Sequence, residues 1–103
     1  MNGGSLCIIM TATDQLVVAD QISHGLIENG YAKCIQRETI DSIYKWNNEI
    51  VTSKEYRLVI KCVEANSHLV MQYVKQVHNY EVPEIIKINV DDVNEEYLKW
   101  LIV

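Results

Sequence analysis

The chain has 103 residues, of which 49% are hydrophobic, and it carries a net charge of −5. This size and composition predict one domain, residues 1–103, with a hydrophobic core. Nucleic acid is excluded as a partner because nine basic residues are scattered among fourteen acidic ones, whereas phosphate binding needs clustered Lys and Arg.

The longest apolar run, Leu6 to Met10, is far shorter than the roughly 20 residues needed to span a bilayer, and no basic segment precedes it. We therefore expect no membrane association. Cys7, Cys34 and Cys62 are odd in number and widely spaced, which favours a reducing compartment and a cytoplasmic location. Each cysteine is expected to be a small core residue rather than a ligand.

The first half of the chain predicts a strand followed by a helix. The continuous apolar run Leu6 to Met10 is typical of a strand buried on both faces. A helix is predicted from Gln15 to Asn29, with Asp14 as its N-cap and Gly30 after its end. Its apolar positions recur at helical spacing: Val18, Ala19, Ile22 and Leu26.

A long hairpin is predicted next. Its arms run from Lys33 to Trp46 and from Glu49 to Val63, and Asn47-Asn48 can supply the positive φ angles of a tight turn. Ile40 and Ile43 are out of phase in the first arm, which predicts a β-bulge there.

The second half repeats the order of helix and strand. A helix is predicted from Asn66 to Val77, a strand from Pro83 to Val90, and a short terminal helix from Glu95 to Leu101. The fold class is therefore α+β. We predict a ferredoxin-like β-α-β-β-α-β sandwich, with an extended hairpin between the second and third strands, a short C-terminal helix, and helices covering one face of a four-stranded antiparallel sheet.

The hairpin is predicted to overhang its own domain. An arm of about 12 residues reaches about 40 Å, whereas a compact domain of this size has a diameter of roughly 33 Å. The overhang exposes unpaired backbone and apolar side chains, which predicts pairing with another chain. The exposed apolar residues would be Ile40, Ile43, Tyr44, Trp46 and Ile50.

Residues 78–85 read His-Asn-Tyr-Glu-Val-Pro-Glu-Ile and contain the single proline of the chain, Pro83. Proline fixes its own φ and restricts the residue before it, so this octet should be a rigid, extended connection into the last strand. The octet closely resembles the His-Pro-Tyr-Glu-x-Pro-Glu-Ile signature of the CutA divalent-cation tolerance family.

Four further segments resemble this family in the right order, so that the resemblance covers about residues 6 to 101. They are Ala32-Lys-Cys-Ile35, Ser42-Ile-Tyr-Lys-Trp46, Glu55 to Lys61, and Asn94 to Leu101 with its Tyr-Leu-x-Trp. The resemblance implies ferredoxin-like homotrimers that are similar to the PII signalling proteins and have interlocking hairpins. The chain departs from the family pattern in having Asn79 for a proline, Asn47-Asn48 for an acidic residue and glycine, and Cys62 where threonine is common.

The resemblance also implies a role in tolerance to divalent metals, copper above all, and a set of metal ligands. Carried over, these are His78, Glu84 and Met10, the last at a position where the family has cysteine. A thioether is a weaker donor than a thiolate but suits Cu(I). The alternative interpretation is structural: His78 ends a helix, Glu84 pairs with a neighbouring chain, and Met10 fills the core.

Five aromatic residues admit two interpretations. They could stack on a planar small ligand in a cleft between subunits, or they could anchor a protein interface. They are Tyr44, Trp46, Tyr80, Tyr97 and Trp100.

Lys61, Tyr80 and Glu81 could in principle form an acid–base set. The sequence lacks a Gly-rich phosphate loop, a nucleophile elbow and metal ligands at hydrolase spacing, which disfavours an enzyme. The predicted function is a non-enzymatic cytoplasmic homotrimer that binds copper, another divalent metal or a small ligand. The alternative is a PII-like signalling or structural module that binds a small effector or partner protein at subunit clefts.

Overall fold

The structure is a computed structural model that describes residues 6–103. Four strands and three helices follow one another in the order predicted from the sequence, with a short 3₁₀ turn at Glu64–Asn66. The elements are β1 (Leu6–Thr13), α1 (Leu16–Glu28), β2 (Cys34–Trp46), β3 (Glu49–Val63), α2 (Ser67–Val77), β4 (Ile86–Asn89) and α3 (Glu95–Ile102).

The four strands form one antiparallel sheet in the order β2-β3-β1-β4. Strand β1 pairs with β3 from Leu6↔Val63 to Thr13↔Tyr56, and with β4 from Cys7↔Asn89 to Met10↔Ile86. The two strands joined by α1, and likewise the two joined by α2, are each separated by one other strand, which is the arrangement of two β-α-β units wound together. The predicted α+β, ferredoxin-like class is confirmed.

One face of the sheet carries the main core. The odd-numbered residues of β1, such as Cys7 and Ile9, and the even-numbered residues of β3 from Leu58 to Cys62 point at α1 and α2. The stripe predicted on α1 is buried as expected, and α2 adds Val70 and Val74. Full burial of each large aliphatic side chain stabilises the fold by about 1.5–3 kcal/mol. Two of the three cysteines lie in this core, and Cys34 is half-buried.

The other face of the sheet, called here the second face, is covered only at one end. Helix α3 lies there, with Leu98 and Leu101 packed against Leu6. Helices α1 and α2 cover one face as predicted, whereas the terminal helix α3 lies on the other. Leu6 points away from α1 and α2 because side chains alternate along β1. On the rest of this face Ile86 and Ile88 of β4 remain exposed.

The hairpin has an uninterrupted register. Pairs run without a gap from Cys34↔Lys61 to Trp46↔Glu49, so the predicted β-bulge was wrong. Because no helix covers the distal arm, Ile40 and Ile43 can lie on opposite faces without disturbing a core. The turn is as predicted, since Asn47 and Asn48 have φ angles of 50° and 64°.

The distal half of this hairpin, residues 40–55, is called here the outer hairpin. Among residues 6–103 it pairs only with itself, because β1 pairs with β3 only from Tyr56 onward. The molecule accordingly measures 46 × 26 × 21 Å. The overhang predicted from strand length is present.

Two predicted helix starts and one strand start needed correction. Helix α1 begins at Leu16 and its N-cap is Gln15 rather than Asp14. Thr13 Oγ1 accepts a hydrogen bond from the Gln15 amide at 3.2 Å. Helix α2 begins at Ser67, one residue later than predicted. Strand β4 begins at Ile86 rather than Pro83, because the chain bends through residues 79–82.

Helix α3 begins at Glu95, as the acidic residues of its first turn predicted. Asn94 Oδ1 accepts hydrogen bonds from the amides of Glu96 and Tyr97 at 2.9 and 3.3 Å. None of the helices in residues 6–103 is long and apolar enough to cross a membrane.

Gly25 generates a test of the contact between α1 and α2. A methyl group at Gly25 would overlap the phenol of Tyr73, whose ring is 6.2 Å from that of Tyr31 in an edge-on arrangement. We expect Gly25→Ala to lower the free energy of unfolding by about 1–3 kcal/mol, the usual cost of overpacking. This loss would appear even though alanine favours a helix over glycine by about 1 kcal/mol. Urea denaturation measures it.

The control variant is Gln21→Ala, at an exposed position one turn earlier on α1. It should leave the urea midpoint nearly unchanged, and adding Tyr73→Leu to Gly25→Ala should restore stability. If Gly25→Ala alone stabilises the protein, Tyr73 moves freely and does not hold α2 against α1.

Candidate functional site

The octet forms the connection between α2 and β4, and His78 fixes its start. The Tyr80 amide donates a hydrogen bond to His78 Nδ1 at 3.0 Å, so Nδ1 carries no proton. The proton of the neutral ring is then on Nε2, which donates to the Ala12 carbonyl at 2.9 Å. Both ring nitrogens therefore hold backbone groups and join the octet to the end of β1.

Asn79, which replaces the usual proline of the signature, makes a second connection to β1. Its amide donates to Asp14 Oδ1 at 2.9 Å, and its carbonyl oxygen accepts from Thr13 Oγ1 at 2.5 Å. The substitution thus exchanges a rigid residue for two hydrogen bonds that hold the same segment.

Tyr80 connects the octet to the hairpin. Its hydroxyl donates to Glu55 Oε2 at 2.7 Å, and Glu55 is only 9% exposed. Burial, together with the bond to Glu55, raises the pKa of Tyr80 well above its usual value of about 10. The hydroxyl is therefore a stable donor that supplies a partner to a buried carboxylate.

These contacts create a cleft of about 520 Å³, called here the hairpin cleft. The octet forms one wall and the outer hairpin forms the other. Three of its seven lining residues are glutamates and none is basic, so the cleft is negatively charged. The lining residues are Tyr44, Trp46, Glu55, Tyr80, Glu81, Val82 and Glu84.

The predicted metal ligands are only partly at this cleft. Glu84 lines it, whereas His78 and Met10 do not, and Met10 lies on the second face between Val59 and Ile86. In residues 6–103 no three His, Cys, Asp or Glu side chains converge closely enough to hold a metal ion. The set of His78, Glu84 and Met10 stays a prediction, and a metal at His78 would have to displace one of its two hydrogen bonds.

The donor atoms of the cleft are carboxylate and phenol oxygens, which suit hard or borderline divalent cations better than Cu(I). Glu81 and Glu84 are exposed and make no ion pair with any other part of residues 6–103. They are thus free to ligate. A single chain offers the right kind of donor but an incomplete coordination sphere.

The five aromatic residues do not form one group. Tyr97 and Trp100 stack at α3 with ring centroids 5.8 Å apart, and Lys33 Nζ lies 4.3 Å from the centre of the Trp100 ring. Only Tyr44, Trp46 and Tyr80 are at the hairpin cleft.

Lys61 lies beside helix α3 rather than at the hairpin cleft, since its Nζ is 5.3 Å from the centre of the Tyr97 ring. Burial, reinforced by the Cys34 thiol, raises the pKa of Tyr97, whose hydroxyl has no hydrogen-bond partner in the described chain. Along β3, Lys61 is six residues or about 20 Å from Glu55, the partner of Tyr80. Within one chain the structure therefore does not bring Lys61 together with Tyr80 and Glu81.

Glu55 and Val82 line the cleft but were not predicted as site residues. The sequence signal for Glu55 was its place at the start of the family-like segment Glu55 to Lys61. Its burial and its contact with Tyr80 depend on strand register, which composition and periodicity do not provide. Val82 is 87% exposed and gave no signal.

Comparison with known proteins decides the family. The model of the family described as CutA1 divalent ion tolerance protein matches residues 7–102. The chain belongs to this family.

A divalent-cation tolerance protein CutA from Pyrococcus horikoshii is 33% identical over 97 residues, which cover 94% of this chain and 95% of that protein. Its crystal structure superposes with a TM-score of 0.88 and covers 93% of this chain and 94% of that one. A CutA from Archaeoglobus fulgidus, described as a periplasmic divalent cation tolerance protein, is 26% identical, with a TM-score of 0.88 and coverage of 93% and 94%.

The hydrogen bond from Tyr80 to Glu55 generates a test at alkaline pH. Because the folded-state pKa of Tyr80 is raised above its unfolded value, its contribution to stability is complete below about pH 10. The contribution is lost as the pH rises through the folded-state pKa. We expect Tyr80→Phe to lose less stability than the parent protein above about pH 10, measured by urea denaturation at a series of pH values.

At neutral pH the same variant should be less stable by about 1–3 kcal/mol, because Glu55 is left buried without its donor. Tyr44→Phe is the matched control, since its hydroxyl makes one exposed 3.3 Å contact with Ser53. A loss in Tyr80→Phe no larger than in Tyr44→Phe would show that the bond to Glu55 contributes nothing.

Proposed function

We propose that the chain is a non-enzymatic homotrimer that binds a divalent cation at the hairpin cleft and contributes to metal tolerance in the cytoplasm. Membership of the CutA1 family supports the divalent-cation role. The observation that carries the proposal is the concentration of Glu55, Glu81 and Glu84 in one cleft without a basic residue.

Each glutamate has a separate part in this proposal. Glu55 is held by Tyr80 and contributes fixed negative charge at the base of the cleft. Glu81 and Glu84 lie on the octet, which His78 and Asn79 tie to β1, so their backbone is held in place. They are the cation ligands, and the charge of Glu55 raises the local cation concentration.

Copper is the divalent cation favoured by this site. For a given set of nitrogen and oxygen donors, first-row divalent ions bind with increasing affinity up to Cu(II), and Zn(II) binds less tightly. The oxygen donors of the cleft favour Cu(II) over the softer Cu(I). Further ligands would come from a neighbouring chain, because one chain does not complete the site.

Exposed apolar surface supports assembly. Trp46 and Ile50 of the outer hairpin are 65% and 80% exposed, and Ile86 and Ile88 are uncovered on the second face. Such surface and the unpaired backbone of a long ribbon are normally covered by another chain. The number of three subunits comes from the family resemblance, in which long hairpins interlock.

The residues of the cleft support binding rather than turnover. None of the seven lining residues is Ser, Cys, Lys or His. Tyr80 has a raised pKa, and its hydroxyl keeps its proton while it donates a hydrogen bond to Glu55, so it is neither a base nor a nucleophile near neutral pH.

The second candidate function is a PII-like signalling or structural module. It is favoured by Tyr44 and Trp46, which give the cleft an aromatic wall that could stack on a planar effector. A titration of the cleft with Cu(II) and with uncharged planar aromatic compounds separates the two candidates.

The assembly can be tested by light scattering. At micromolar concentration the mass should be near three times 11.9 kDa. Trp46→Ala should destabilise the trimer by about 3–5 kcal/mol, the usual cost of truncating a buried aromatic residue, and the unfolding midpoint should rise with protein concentration.

Leu16→Ala is the control, because Leu16 is 46% exposed on α1 and lies outside the outer hairpin. It should leave both the mass and the midpoint unchanged. A monomeric parent protein would end the trimer proposal, and an unchanged midpoint for Trp46→Ala would show that this side chain stays in solvent.

The cation site can be tested by calorimetry with Cu(II). We expect one site per chain, and Glu84→Gln should weaken binding by an order of magnitude or more, because it removes a charged ligand. Glu28→Gln, at an exposed position at the end of α1, is the matched control and should bind as the parent does. Equal affinity in Glu84→Gln, Glu81→Gln and the parent would rule out the cleft.

His78→Ala tests the predicted ligand set of His78, Glu84 and Met10 in the same assay. If His78 ligates, the variant loses tight binding while remaining trimeric, and the affinity of the parent falls as the pH drops and the imidazole is protonated. If binding is unchanged, His78 serves only to hold Ala12 and Tyr80.

A further inference from the structure

Two thiols face each other in the core, away from the hairpin cleft. Cys7 on β1 and Cys62 on β3 are direct partners in the register, and their Sγ atoms are 3.5 Å apart. Their exposed fractions are 0% and 1%. Neither residue takes part in the proposed function.

We propose that Cys7 and Cys62 form a second metal site, which takes a soft monovalent cation such as Cu(I) or Ag(I) between two thiolates. Thiolate sulfur selects soft ions of this kind, and two sulfurs are enough for an ion that prefers linear coordination. The site goes beyond the proposed function, because the cleft offers only oxygen donors.

The binding step involves no oxidation or reduction. The cation forms one bond to each sulfur, and each thiol releases its proton to solvent, so the product is a bis-thiolate complex with one net negative charge. Burial raises the pKa of the Cys62 thiol to about 12 and raises that of Cys7 as well. Both groups are therefore protonated at neutral pH, and affinity should increase with pH.

The negative charge of the bis-thiolate complex would lie close to the ammonium group of Lys87. Lys87 is on β4, where it pairs with Ile9 in the register, and its ammonium group lies close enough to lower the pKa of both thiols. Glu64 acts in the opposite direction and forms an ion pair with Lys87. The ammonium of Lys87 therefore favours the thiolate forms, and the carboxylate of Glu64 opposes them.

The metal needs more room than the thiols now leave. Two metal–sulfur bonds of about 2.3 Å in a line hold the sulfurs roughly 4.6 Å apart. Cys62 also lines a cavity of about 340 Å³, with Tyr31, Asn66 and Leu101 among its other walls. Strand β2 begins opposite Lys61, so β3 has no neighbour on that edge at Cys62. The cavity therefore gives Cys62 space to move and gives the ion a path to it.

Threonine in place of Cys62 would leave Cys7 without a second thiol. Both cysteines face α1 and α2, so assembly through the outer hairpin and the second face would not cover them.

The test is titration of the fully reduced trimer with Cu(I) in the absence of oxygen, followed by X-ray absorption at the copper edge. We expect one tight site per chain, with two sulfur neighbours at equal distance. Cys62→Thr and Cys7→Val should each weaken this site by more than about 100-fold, since even indirect supporting residues cost 10–100-fold. Circular dichroism checks that both variants fold.

Cys34→Ser is the matched control, because Cys34 is the remaining cysteine and is not in the pair. It should bind as the parent does, and so should Glu84→Gln, which distinguishes this site from the hairpin cleft. A parent without a two-sulfur site, or an unchanged affinity in folded Cys62→Thr, would overturn the proposal. If Cys34→Ser alone loses binding, the half-buried thiol of Cys34 is the ligand and the proposal is also wrong.

Discussion

Strand β1 is hydrogen-bonded on both edges, to β3 along its whole length and to β4 over Cys7 to Met10, so it cannot shift register without breaking both pairings. Its side chains alternate between faces, and a slip of one residue would exchange the two sets. The helix-facing set makes the main core and aligns Cys7 with Cys62. The other set places Leu6 under α3 and leaves Met10 beside the uncovered part of the second face.

The same strand also positions the octet. Its last residues supply the partners of His78 and Asn79, so the loop after α2 is attached to the carboxyl end of β1. Tyr80 then reaches Glu55, at the point where the outer hairpin leaves the sheet. The cleft is therefore formed where three separate parts of the chain meet, and each wall depends on the register of β1. This explains why a histidine that resembles a metal ligand serves here to hold backbone groups.

The fold places its candidate carboxylate and thiol metal ligands in separate regions. Carboxylates line the cleft beside the overhanging hairpin, where a neighbouring chain can approach, and thiols lie between the sheet and its helices. Hard and borderline divalent ions favour the first set and soft ions favour the second. Membership of the divalent-ion tolerance family fits the first set directly. The second set depends on Cys62, the register partner of Cys7.

The order of elements, the buried stripe of α1, the Asn47-Asn48 turn and the overhang could all be derived from the sequence, because each depends on local periodicity or chain length. The octet likewise marked the family. Other features depend on contacts between distant residues: the side of the sheet that α3 covers, the absence of a bulge, and the buried bond from Tyr80 to Glu55. Lys61 was grouped with Tyr80 by residue type, but strand geometry places it about 20 Å away along β3. Local sequence thus determined which elements form, whereas strand register decided which side chains meet, since pairing partners are far apart in the chain.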